Sequence, residues 1–111
     1  MKIQNYRDVP VTEPLPGVSK RVVIGPDEGA PHFVMRVFEV APGRTSPDHA
    51  HPWEHEIFIL AGKGAARDKD GRETAIGEGS ALFVPAGEKH CLINKGSQPL
   101  CFICVIPAGV E

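Results

Sequence analysis

Nowhere in this 111-residue chain do apolar residues recur at helical spacing over ten positions, and that constrains the fold more than any single motif does. Its 12 glycines and 11 prolines divide the chain into short runs rich in Val, Ile and Phe. Such runs, bounded by turn residues, read as strands. Gly17 and Gly25 bracket one of them, and His32 to Val40 forms a longer one. Ile57 to Leu60, Ser80 to Val84, Lys89 to Asn94 and Leu100 to Ile106 continue the series. Asp68-Lys69-Asp70-Gly71-Arg72 reads as a hairpin tip with short strands on either side, because Asp-Gly favours the positive backbone angles of tight turns. Residues 1–16 have scattered prolines and no period, so an arm or loop is expected there. Residues 17–111 then form the core of one all-β domain, a sandwich or barrel. A chain of this length buries roughly 65% of the surface it exposes when unfolded, enough to dispense with disulfide staples.

Charge excludes several classes of partner. With 12 basic against 14 acidic side chains there is no electrostatic case for binding nucleic acid or an anionic membrane surface. No apolar run is long enough to span a bilayer, and the opening MKIQNYRDVP lacks the apolar stretch of a secretory signal, so a cytoplasmic location is expected. Three cysteines, Cys91, Cys101 and Cys104, do not make a disulfide framework. Cys101 and Cys104 are spaced as a CxxC pair, but on a strand their odd separation sends the two thiols to opposite faces. Both are expected to serve as small buried hydrophobes.

The chemistry is concentrated in His49-Ala50-His51-Pro52-Trp53-Glu54-His55. Its three imidazoles are separated by two and four residues, and on an extended strand even separations place all three on one face. Pro52 argues against a helix. Three neutral nitrogen donors are the beginning of a divalent transition-metal site. In a second stretch, Gly79 to Asn94, a strand ends at Pro85, a Pro-Ala-Gly turn reverses the chain and His90 opens the return, supplying a candidate fourth ligand.

These two stretches resemble the paired motifs of the cupins. Gly43, His49-x-His51, His55 and Gly62 match the first, with His55 where the family usually has Glu. Gly79, Pro85-x-Gly87, His90 and Asn94 match the second without departure. The details are similar to those of small single-domain cupins whose metal is held by four histidines, often manganese. The resemblance implies a double-stranded β-helix, or jelly-roll barrel. It also implies one divalent ion per chain on His49, His51, His55 and His90, with Mn(II) favoured over Fe(II), Ni(II) or Zn(II). Glu56 could replace His55 only at the wrong distance from Gly62 and on the wrong strand face. The resemblance further implies a homodimer, for which the strand around Val18 to Ile24 could join a partner's sheet.

Parity nominates walls for the site. Leu92 shares a face with His90, and the last strand offers either Phe102, Cys104 and Ile106 or the alternate set, the resemblance favouring the first. Arg36 and Phe38 share a face of the His32–Val40 strand. Arg36 either binds a substrate carboxylate or enolate or pairs with an acid at the rim. Trp53 shields the mouth or packs, and His32 is expected at the surface.

Four neutral imidazoles leave a divalent charge uncompensated, and manganese or iron with six positions would keep two open. With an apolar wall, that favours a Mn- or Fe-dependent dioxygenase-type oxidoreductase acting on a small enolic, catecholic or unsaturated compound. A metal-dependent isomerase or lyase for a sugar-derived acid, or a non-catalytic module binding a small molecule, are the alternatives, since one fold hosts all three.

Overall fold

The computed structural model describes residues 1–110. Nine strands form two sheets, and the only helical pieces among the described residues are 3-10 turns at Tyr6–Asp8 and Pro26–Glu28. The strands are β1 Thr12–Leu15, β2 Val18–Ile24, β3 Phe33–Val40, β4 His55–Ala61, β5 Lys63–Arg67, β6 Glu73–Gly77, β7 Ala81–Val84, β8 Cys91–Asn94 and β9 Leu100–Pro107. The larger sheet runs β1-β2-β3-β9-β4-β7 and the smaller β6-β5-β8. Neighbouring strands are antiparallel throughout, and the non-sequential orders show the crossovers of a jelly roll. The jelly-roll architecture is the one the resemblance implied, but the two sheets are not closed into a barrel.

Two further expectations change. Part of the 1–16 arm is β1, an edge strand whose register with β2 is irregular between Thr12 and Leu15. Pro14 lies inside it, which an exposed edge tolerates and a central strand would not. In consequence β2 is flanked by β1 and β3, so the Val18 to Ile24 strand is not the open edge the sequence reading offered to a partner.

Strand alternation divides the residues of the larger sheet between two environments. Val34, Phe38 and Val40 of β3, Ile57 and Ile59 of β4, and Leu100, Phe102, Cys104 and Ile106 of β9 point inward, where they meet Val18, Val84 and Leu92 in the main core. Outward-facing Val37 and Cys101 join Val23 in a second cluster beneath Tyr6 and Val9. Cys101 and Cys104 therefore do lie on opposite faces, and neither is in a disulfide. Asn94 ties the core together across 54 positions: its Nδ2 donates to Val40 O and Gln98 O, each at 2.8 Å, and its Oδ1 accepts from Gly96 N at 2.8 Å. A buried amide with its bonds made is a latch; the same group unsatisfied would cost about 1–3 kcal/mol.

Candidate metal centre

The segment leading to His49 lies along the small sheet. Ser46 N–H donates to Leu92 O at 2.8 Å, Ser46 Oγ accepts from Leu92 N at 2.8 Å, and His49 and His90 exchange two backbone bonds at 3.3 and 3.1 Å. The chain then turns through Pro52 and crosses to the large sheet, where His55 is the first residue of β4. His51, in the crossing, is fixed by its carbonyl accepting from Gly87 N in the turn before His90. The three histidines are thus not on one regular strand, as parity assumed. One is bridged to the small sheet, one begins a strand of the large sheet and one is held in the connection, with His90 completing the group.

All four rings surround one space. Ring centroids are 4.1 Å apart for His49 and His51, 5.0 Å for His55 and His90, 5.4 Å for His51 and His55, and 6.0 Å for His49 and His90. Rings bonded through Nε2 to one ion at about 2.1 Å would have centroids about 4.6 Å apart at a right angle, about 5.3 Å apart at a tetrahedral angle and about 6.5 Å apart when opposite. His49 Nε2 and His51 Nε2 are 2.8 Å apart, a separation that calls for something positive between two lone pairs, either a proton or a cation. His90 Nδ1 is 2.9 Å from Glu88 O; donation of its proton there leaves Nε2 as the lone pair, the usual way a ligand ring is oriented. His55 Nδ1 is buried with no hydrogen-bond partner among the described residues. The residue types and spacings fit a divalent ion. Among the described residues, however, no group of three or more His, Cys, Asp or Glu is closed into a ready cage.

Protonation supports availability of these donors. Burial, then His90 and Arg36, pushes the His55 imidazole down to about 4, and His51 and His49 add to the effect. His49 and His51 are also lowered, first by burial. The lone pairs of these three therefore remain uncapped by protons near neutrality, as metal binding requires.

A cavity of about 80 Å³ is lined by the four histidines with Arg36, Phe38, Ile57, Leu92, Phe102 and Cys104. It adjoins an outer chamber of about 240 Å³ that adds Trp53, Ile106, Lys20 and Val110. Every tentative wall residue named from the sequence lines one or the other. Phe38 and Phe102 stack at 5.2 Å, and the Arg36 guanidinium lies 5.0 Å from the Phe38 ring. Arg36 lines the interior cavity, and its Nη2 is 2.9 Å from Cys104 Sγ on the facing strand. Trp53 stacks on His51 at 4.4 Å, nearly parallel, and so covers one ligand ring. Glu56 is exposed on the opposite face of β4, which removes it as a donor, and His32 is exposed as expected. Ser46, Pro47 and Ile57 were missed, although Pro47 and Ile57 share the parity of His49 and His55; Lys20 was missed too.

Two interlocked antiparallel sheets with a histidine cluster at one end of their interior define a cupin. The chain belongs to the cupin family, whose cupin domain it matches over residues 36–106. Among solved structures it is similar to the polyketide cyclase RemF from Streptomyces resistomycificus, with 37% identity and a TM-score of 0.87 over 96% of this chain and 79% of that one. It is also 36% identical over 81 residues to an oxalate-binding protein of Thermotoga maritima. To the tetracenomycin polyketide synthase protein TcmJ of Streptomyces glaucescens it is 31% identical over 85 residues. These matches cover 69% and 75% of this chain but only 66% and 56% of those relatives, less than two thirds of each. No helix among the described residues is long and apolar enough to cross a membrane.

Proposed function

We propose that this cupin is a mononuclear metal enzyme that binds one divalent transition ion on His49, His51, His55 and His90 and acts on a small enolisable carbonyl compound. Ring closure of a poly-β-carbonyl chain is the reaction the reading favours. The observation that carries it is the donor set: four imidazoles around one space, with no carboxylate among the described residues lining either cavity. Resemblance across nearly the whole chain to a polyketide cyclase adds support. When bound, the ion would supply Lewis acidity toward a carbonyl oxygen. The chain's own residues do the rest. Arg36 offers a planar fork of donors to an enolate or carboxylate oxygen, Phe38, Phe102 and Leu92 hold the carbon framework and exclude water, and Trp53 covers the His51 side. A carbon between two carbonyls is already acidic, so its proton can pass to a water at the cavity mouth without a dedicated side-chain base.

The apolar, acid-poor wall also suits a Mn- or Fe-dependent dioxygenase, and oxygen decides between the two. Protein loaded with manganese, iron or zinc is incubated anaerobically with a synthetic linear tetraketone, and the aromatic product is followed by absorbance. Metal-dependent product without dioxygen is expected. Product only in air would sink the cyclase reading in favour of the dioxygenase, and ligand binding without turnover would indicate a binding module.

We also propose a homodimer, through a different surface from the strand edge expected at first. Phe33, Phe58 and Phe83 are 69%, 45% and 59% exposed on the outer face of the large sheet. Monomers seldom leave such a patch uncovered. Light scattering should give twice the mass of the chain, and Phe58→Lys with Phe83→Lys should return it to one.

A further inference from the structure

The inner cavity brings a thiol up to the four imidazoles. Among the described residues its lining includes no Asp, Glu or Tyr, and Cys104 is its single anion-forming side chain. Register places that thiol. In the β4–β9 pairing Cys104 is opposite Ile57, and His55 is the preceding residue on the same buried face of β4. Cys104 and His55 are therefore diagonal neighbours, with Cβ atoms about 7 Å apart. Cys104 is 3% exposed and in no disulfide. Arg36 Nη2, 2.9 Å from its Sγ, can only donate, so the sulfur is held there as an acceptor. His55, 4% exposed, lines the same cavity, and its Nδ1 has no hydrogen-bond partner among the described residues. A ring so buried and unmet points to a ligand in the cavity.

We infer, resting on the proposed four-histidine site, that Cys104 supplies a thiolate to the divalent ion as a further donor beside His49, His51, His55 and His90. Four neutral imidazoles leave the ion's charge unmatched, and a thiolate offsets half of it. Binding of the ion releases the thiol proton to water. The Arg36 donor then orients the sulfur, as outer hydrogen-bond partners orient other ligands. Soft sulfur moves the preference of the site from manganese toward zinc. A Cys104 that merely packed as a small hydrophobe would do none of this.

Cobalt(II) reports its own donors, because a bound thiolate adds an intense near-ultraviolet charge-transfer band that imidazoles do not give. The full chain is loaded with an equimolar amount of cobalt, and elemental analysis after dialysis fixes how much is bound. Wild-type protein should show the band. Cys104→Ser should bind cobalt without it, and Cys101→Ser, whose thiol lies in the outer cluster, should keep it. The preference for zinc over manganese, measured by competition dialysis, should fall about tenfold in Cys104→Ser. Bound cobalt with no band in the wild type would overturn the inference and leave the four-histidine site standing. A band that persists in Cys104→Ser, or an unchanged zinc preference, would overturn it too. No bound cobalt at all would overturn the four-histidine site and the inference with it.

Discussion

Gly64→Ala should leave a chain that is largely unfolded at 37 °C. A Cβ at that position would overlap Ile93 O and stand 3.1 Å from Ile93 C, both backbone atoms of the paired strand β8. Nothing flexible can yield, so β5 and β8 must separate along the pairing that runs from Gly64–Asn94 to Arg67–Cys91. The Asn94 latch sits at the end that opens. We expect a loss of about 3–5 kcal/mol, a large part of the 5–15 kcal/mol that holds a domain of this size together. Gly71→Ala provides the contrast. Its φ of +80° carries a strain penalty, but nothing lies within 4 Å of the new Cβ, so the cost should be about 1 kcal/mol. Urea midpoints for both variants measure this, and a Gly64→Ala midpoint equal to that of Gly71→Ala would show that the strands are not packed as closely as described.

His55→Gln should lower metal affinity at least 100-fold, since losing a ligand costs more than the 10–100-fold lost with an outer hydrogen-bond partner. Elemental analysis after dialysis should find about one manganese, iron or zinc per wild-type chain and little in the variant, with exposed His32→Gln as the control. Stoichiometric metal in His55→Gln would remove the four-histidine reading. The same substitution has a second signature in metal-free protein. His55 titrates at 6.5 when unfolded and at about 4 in place, chiefly because of burial. Between those values the unfolded chain binds more protons than the folded one, so stability is complete above 6.5 and declines as pH falls toward 4. The decline attributable to this one buried ring is on the order of 3 kcal/mol. His49 and His51 act in the same direction. In His55→Gln the acid limb of the stability curve should be correspondingly shallower.

Much of this architecture could be read from the sequence because the signals were local. The hairpin at Asp68 to Arg72, the strand from Phe33 to Val40 and the opposed Cys101 and Cys104 depend on turn chemistry and a two-residue period. Edge strand β1 was hidden because Thr12-Glu13-Pro14-Leu15 buries nothing and contains a proline; only pairing with β2 makes it a strand. The histidines were found by an argument that was only partly sound. Even separations matter within a strand, yet His49, His51 and His55 converge across a turn between two sheets, helped by backbone bonds to His90 and Gly87 that no periodicity reveals. Lys20 was overlooked because it stands between Ser19 and Arg21, a polar run that masks the alternation it shares with Val18 and Val22.

The way the histidines are held bears on how the site could change over generations. His49 and His90 are joined to each other by main-chain bonds, and His51 is tied to the following turn through its carbonyl, so little of the scaffold depends on what these side chains are. A lineage could exchange one donor for another, or lose one, by a single codon change without first inventing a new fold. Spacing along the chain would then be inherited strictly and ligand identity loosely, as in a socket that accepts different plugs.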